Sequence, residues 1–151
     1  MHKILVILCL AASLLTACQS SPSGEAEADI RRVMDAQAEA WNRGDIETFL
    51  EGYAKSPDLL FASRGTFSRG WDPLLERYRV AYPEGNMGVL RFDDLEIHFL
   101  DETSAWVVGS WWLAMEDSAP HGVFTLIFKQ TEVGWRIIHD HSSGVDLSVE
   151  D

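Results

Sequence analysis

The chain has 151 residues, a length that suits one domain, and its 46% apolar residues are enough for a core and too many for a disordered segment. Its 24 acids against 12 bases give a formal charge of -12, which opposes phosphate backbones because their affinity comes largely from cationic neutralisation; no nucleic-acid partner is expected. Six Trp, three Tyr and seven Phe are a heavy aromatic load for a small domain, and they suit a core or a small-molecule pocket equally well.

The first eighteen residues carry an address. Lys3 is followed by an apolar run from Ile4 to Leu15, too short for a stable span, since crossing a bilayer takes about 20 apolar residues. Small residues then precede Cys18, the layout of a secretory signal over residues 1–17. Leu15-Thr16-Ala17-Cys18 resembles the lipobox of bacterial lipoproteins, and that resemblance implies lipidation of Cys18 and cleavage in front of it. Residues 18–25 are then a lipidated cysteine and a Ser/Pro/Gly-rich tether, and the protein is anchored to the cell envelope without spanning it. Gln19 is not the aspartate that marks inner-membrane retention in enterobacterial lipoproteins, so the resemblance favours the outer membrane, facing the periplasm, in a Gram-negative cell. Cys9 lies inside the signal and Cys18 would be consumed by lipid, which leaves no thiol for a disulfide, a zinc site or a nucleophile.

From Glu25 to Asn42, Ile30, Val33, Met34, Gln37 and Trp41 recur at helical spacing. Arg43-Gly44 stops that helix, Asp45 caps a second one with Ile46, Phe49, Leu50 and Tyr53 on its apolar side, and Pro57 ends the unit. Asp58 to Ser63 reads as a strand, and the stretch holding Gly65 and Gly70 as a turn-rich loop. Asp72 as cap and Pro73 at the first helical position begin a third helix through Leu74, Leu75 and Tyr78, broken at Pro83. After Gly88 the period changes. Residues 89–100, 104–116, 121–131 and 134–143 read as four consecutive antiparallel strands. In the first, Leu90 and Phe92 are out of phase with Leu95, Ile97 and Phe99, which places a bulge at Asp93-Asp94 and bends the strand. Helices first and a curved meander after is an α+β layout over residues 26–144, followed by an acidic tail at 145–151.

Three features converge: W-x-x-G-D at Trp41 to Asp45 with Tyr53 following, G-W-D-P after a loop, and the last strand GWRIIHDHSSG. Together they resemble the nuclear transport factor 2-like superfamily, a cone of three N-terminal helices packed on a strongly curved antiparallel sheet. The spacing Trp135-x-x-x-His139-x-His141-x-Ser143-Gly144 is most similar to the association domain of calcium/calmodulin-dependent protein kinase II and its SnoaL-like bacterial relatives. That superfamily includes ketosteroid isomerase, scytalone dehydratase, polyketide cyclases, ligand binders and oligomerisation modules, so fold does not settle chemistry.

Strict alternation puts Trp135, Ile137, His139, His141 and Ser143 on one face of the last strand, and Arg136, Ile138 and Asp140 on the other. The resemblance implies that the first set faces the cone. There His139 and His141 could contact a ligand, exchange protons near neutral pH or serve as hydrogen-bonded framework. Zinc ligation by H-x-H lacks a third protein ligand, so neither metal nor cofactor is expected. His98 and His121 have weaker claims, and Asp140 reads as an interface or surface charge. By the resemblance, Ser63 stands where ketosteroid isomerase has its aspartate base, and a serine cannot act as that carboxylate. Ser110 or Trp111 and Ser142 stand where the kinase association domain has pocket arginines, so its carboxylate site is not carried over. Arg64 is the nearest cation, either an anion contact or a solvated loop charge. Trp41, Tyr53, Phe61, Trp71, Tyr78 and Trp111 are core residues or a cavity lining.

These readings lead to a lipid-anchored envelope domain that binds a small, largely apolar molecule or a protein partner in a conical pocket. The alternatives are a proton-transfer enzyme using His139 or His141, and a structural module that only dimerises. A homodimer through the sheet face away from the helices is expected, because Val123, Ile127 and Ile138 alternate with Phe124, Phe128 and Ile137 and both faces are therefore apolar. Cys18→Ser removes the acyl acceptor, so the variant is expected to accumulate as an unlipidated precursor; acylation at the normal level, read by metabolic labelling with palmitate, would sink the lipobox reading.

Overall fold

The computed structural model describes residues 22–83 and 87–145. The signal segment, the lipobox with Cys18, the first residues of the tether and residues 146–151 of the acidic tail lie outside them. Helix α1 (Pro22–Asn42) begins earlier than its apolar spacing indicates, so Pro22 to Glu25 belong to its first turn and not to the tether. The first amides of a helix have no intrahelical acceptor, so a proline there forfeits nothing. Ile30, Met34, Gln37 and Trp41 form its buried stripe. The helix ends where Gly44 takes a positive φ of 78°. Asn42 then ties that end to the sheet, donating to Leu90 O at 3.0 Å and accepting from Leu90 N at 2.7 Å.

Helix α2 (Ile46–Leu50) is capped as expected by Asp45, whose Oδ1 accepts from Thr48 N at 3.0 Å. It is shorter than its apolar pattern, and Tyr53 lies beyond it. A Cβ on Gly52 would sit 2.5 Å from the Gln37 side chain, and the backbone of residues 52–54 pairs with Ile137 instead of continuing the helix, through Ile137 N to Gly52 O and Ala54 N to Ile137 O, both 2.9 Å. Strand β1 (Leu60–Ser63) follows, and the Gly65 to Gly70 stretch expected as loop contains a second strand, β2 (Thr66–Arg69), in a tight hairpin with it. Helix α3 (Trp71–Ala81) is preceded by Gly70 at φ 90°, with no side-chain cap, so Asp72 sits in the first turn and is not the cap. Strands β3 (Val89–Asp101), β4 (Ser104–Ala114), β5 (His121–Thr131) and β6 (Gly134–Ser142) form the meander.

The six strands lie in the order β2-β1-β6-β5-β4-β3. The sheet is mixed and not purely antiparallel, because β1 runs parallel to β6. Residues 52–54 have already joined β6 at Ile137, and the chain continues beside it in the same direction. The helices cover one sheet face, where Phe128, Ile137 and Val107 are fully enclosed together with Ile30, Leu50 and Leu74. Val145 pairs with His121, so the fold extends one residue into the segment read as tail. No helix among the described residues is long and apolar enough to cross a membrane.

Besides a shift at the end of β3 between Phe99 and Asp101, two register shifts shape the sheet. The expected one in β3 lies between Asp93 and Glu96, with Asp94 at φ 55°. The other lies in β6, where Phe128 pairs with Ile137 but Ile127 pairs with His139, leaving Ile138 as an extra residue. At the β3 bend Gly109 lets the strands close in. A Cβ there would meet Phe124 Cζ at 2.7 Å and Leu95 Cδ2 at 2.8 Å. Gly109→Ala is therefore expected to destabilise by about 1–3 kcal/mol through overpacking, and an unchanged urea midpoint would show that the bend does not need the close approach.

Candidate ligand-binding site

The extra residue in β6 decides which side chains reach the interior. Trp135 and Ile137 are buried on the helix side, but past Ile138 the phase reverses and Asp140 is buried at 4% exposure while His141 is exposed. His139 and His141 pair in register with Ile127 and Thr125, on the face away from the helices. The expectation that both imidazoles face the cone is thus overturned, and Asp140, read as a surface charge, is the ionisable group inside. The cause is one inserted residue, since a strand's side chains alternate with period two and any insertion exchanges the faces beyond it. His139 is held below its ordinary pKa by burial first and by the neighbouring His141 second. Ser143 is exposed, and its carbonyl accepts from Trp111 Nε1 at 3.0 Å.

Between the helices and the bent sheet lies a cavity of about 570 Å³, within the range of small-molecule sites. Tyr78 of α3 is the hub of its aromatic wall, with ring centroids 6.0 Å from Trp41, 5.3 Å from Phe49 and 6.0 Å from Phe61. Trp41 is pinned by its indole donating to Met87 O at 2.9 Å. Phe92, Phe124 and Trp111 line the sheet side.

Asp140 also lines this cavity. Its Oδ2 accepts from the Tyr53 hydroxyl at 2.8 Å and its Oδ1 from Ser142 Oγ at 2.7 Å. Tyr78 lies close enough to Tyr53 and Asp140 for the three groups to influence one another's ionisation. Burial raises the Asp140 carboxyl from its ordinary 3.8 to about 6, against the two hydroxyl donors that favour its anion. Burial, and then the Asp140 charge, push both tyrosines upward, so they remain protonated donors. The arrangement is an acid that changes protonation near neutral pH at the wall of an aromatic cavity, with phenol donors beside it; such a group can hydrogen-bond a ligand carbonyl or hydroxyl and can exchange a proton with it.

Of the residues singled out from sequence, Trp41, Tyr53, Phe61, Ser63, Arg64, Tyr78 and Trp111 line the cavity. Four do not. Trp71 donates to Leu50 O at 2.9 Å with the Lys55 ammonium 5.0 Å from its ring centroid, Trp135 packs on Phe99, and His139 and His141 lie on the other face. Sequence reasoning missed Asp140, Ser142, Gln37 and Arg77. The signal for Asp140 was the Ile137-Ile138 pair, two apolar residues that strict alternation cannot place on one face. Among the described residues no three His, Cys, Asp or Glu side chains gather as a metal site.

Three helices closed over a bent sheet around a cavity define a nuclear transport factor 2-like cone. A family model for the SnoaL-like domain matches residues 30–147, and the chain belongs to that family. A nuclear transport factor 2-like protein of unknown function from Shewanella oneidensis is 39% identical, with a TM-score of 0.75 over 78% of this chain and 98% of that one. A protein with a cystatin-like fold from Caulobacter vibrioides is 24% identical, with a TM-score of 0.67 over 81% and 91% of the two chains. A ketosteroid isomerase-like protein from Erwinia carotovora is 18% identical, with a TM-score of 0.63 over 78% and 95%; the last two likenesses concern the fold alone. No protein of curated function matches the sequence significantly.

The Asp140 environment makes stability depend on pH with a definite sign. An unfolded aspartate releases its proton near 3.8, whereas the buried one holds it to about 6, so the folded state binds the extra proton between those values and stability falls as pH rises through them. The full difference is about 3 kcal/mol. Asp140→Asn keeps an acceptor for Tyr53 and a donor for Ser142 but cannot ionise. Relative to wild type it is expected to gain up to about 3 kcal/mol between pH 4 and pH 7.5; urea titrations giving the same difference at both values would contradict the assignment.

Proposed function

We propose that this domain binds a small, largely apolar molecule in the cone, with a carbonyl or hydroxyl of the ligand directed at Asp140 and the tyrosine hydroxyls. The observation that carries this reading is an aromatic cavity of about 570 Å³ whose wall presents one buried, hydrogen-bonded carboxyl group, with Gln37 and the Tyr53, Tyr78 and Ser142 hydroxyls also in the lining. Apolar burial supplies affinity, and the Asp140–Tyr53 hydrogen bond, with the Tyr78 phenol on the same cavity wall, supplies orientation. The lipobox supports a location at the envelope, with the acyl group on Cys18 holding the domain at a membrane, the outer one facing the periplasm in a Gram-negative cell. The exposed outer sheet face, with Val123 60% and Trp112 38% exposed beside half-buried Ile127 and Ile138, supports a homodimer through that face. Light scattering at micromolar concentration is expected to give twice the monomer mass, and a monomer there would leave the face without a role in self-association.

A second reading, proton-transfer catalysis, is favoured by one specific observation: the Asp140 carboxyl is raised to about 6, which suits a group that both gives and takes a proton near neutral pH. His139 and His141 are not its bases, since they lie outside the cone. Naphthyl methyl ketone distinguishes the readings. Binding is expected to raise the melting temperature of wild type and to weaken on Tyr78→Ala, which removes the aromatic hub. Deuterium exchange of the ketone's methyl protons, followed by NMR, reports proton transfer: exchange above the solvent rate that disappears in Asp140→Asn makes the domain an enzyme, and binding without it leaves a carrier. Absence of binding in wild type would defeat both and leave the dimerisation module.

A further inference from the structure

The cavity has a second polar feature at its exposed rim, opposite in charge to its floor. The β1–β2 hairpin holds Arg64 and Arg69 and no acid between Leu60 and Gly70, in a chain of net charge -12. Arg64 and Ser63 line the cavity, and Arg77 of α3 joins them there. Arg77 donates to Thr66 Oγ1 at 3.3 Å, and its guanidinium lies 5.2 Å from the Phe61 ring centroid, so an aromatic cavity wall and the hairpin together position it. Arg64 occupies the first of two consecutive positions with positive φ, 50° followed by 72° at Gly65. Asn-Gly or Gly-Gly suits such a turn, and a long side chain there carries a conformational cost. That cost is borne at the residue that brings a guanidinium to the cavity.

Resting on the reading of the cone as a ligand pocket, we propose that its ligand is an organic anion: an apolar, ring-sized body with a carboxylate held at the rim by Arg64, Arg77 and the Ser63 hydroxyl. The charges set the direction of binding. A carboxylate at the floor would meet the Asp140 carboxyl in a desolvated space where two like charges cannot both persist, whereas two guanidiniums at the rim match a carboxylate in shape and sign. Asp117, exposed in the β4–β5 connection and also part of the lining, is the one acid near the rim among the lining residues, and it repels an anion.

Three probes that share a ring system and differ in charge test this: naphthalene carboxylate, naphthalene methanol and naphthalene methylamine, titrated at pH 7.5 into the full-length chain in a nonionic detergent, with tryptophan fluorescence as readout. The carboxylate is expected to bind roughly tenfold more tightly than the alcohol, the range for two partly exposed charge contacts, with an advantage that shrinks as salt rises. R64Q/R77Q is expected to abolish the advantage, R64K/R77K to retain most of it and D117N to enlarge it, with thermal melts establishing that each variant is folded. Equal binding of carboxylate and alcohol by wild type, or tighter binding of the amine, overturns the anion inference while leaving the pocket reading intact. Failure of all three probes to bind overturns the pocket reading and the anion inference with it.

Discussion

The interior chemistry of this domain depends on one extra residue in its last strand. Ile138 has no partner in the register between β5 and β6, and the shift turns everything beyond it over. Without it, two imidazoles would project into the cone and a carboxylate into solvent. With it, Asp140 is enclosed and the histidines lie beside Ile127 and Thr125 on the outer face. The same strand also anchors β1 in parallel and receives the backbone of residues 52–54, so the phase of β6 determines which tyrosine meets the carboxyl. Tyr53 is brought to Asp140 by the pairing of its own segment with Ile137.

An enclosed carboxyl opposes folding unless it is neutral or well hydrogen-bonded. Here the compromise is visible in its partners. Tyr53 and Ser142 hold both oxygens, yet burial still lifts its pKa to about 6, so ionisation near neutral pH strains the fold. Such a group at a cavity wall lowers stability near neutral pH, and perturbed ionisable groups of this kind cluster at functional sites. The aromatic hub around Tyr78 contributes the shape, and the arginine-bearing hairpin contributes a rim whose sign is opposite to that of the chain as a whole.

The large-scale organisation was legible because it is written in local periodicities. The apolar spacing of α1, the Asp45 cap and the phase break at Asp93-Asp94 each report a short-range constraint, and the structure places all three as the residues imply. The errors share a different cause. The early end of α2 and the parallel β1–β6 contact depend on which distant backbone supplies hydrogen-bond partners, and no local pattern carries that information.

The candidate site divides in the same way. Trp41, Tyr53, Phe61, Ser63, Arg64, Tyr78 and Trp111 could be gathered from sequence because they lie on elements whose faces the apolar pattern defines, and all seven line the cavity. Sequence by itself determined the helix-then-meander order, the bend in β3 and the family resemblance. Tertiary structure alone decided that Asp140 is inside and His139 and His141 outside. The alternation W-R-I-I-H-D-H permits either phase after Ile137, and only pairing against the fixed register of β5 selects the one with an unpaired Ile138.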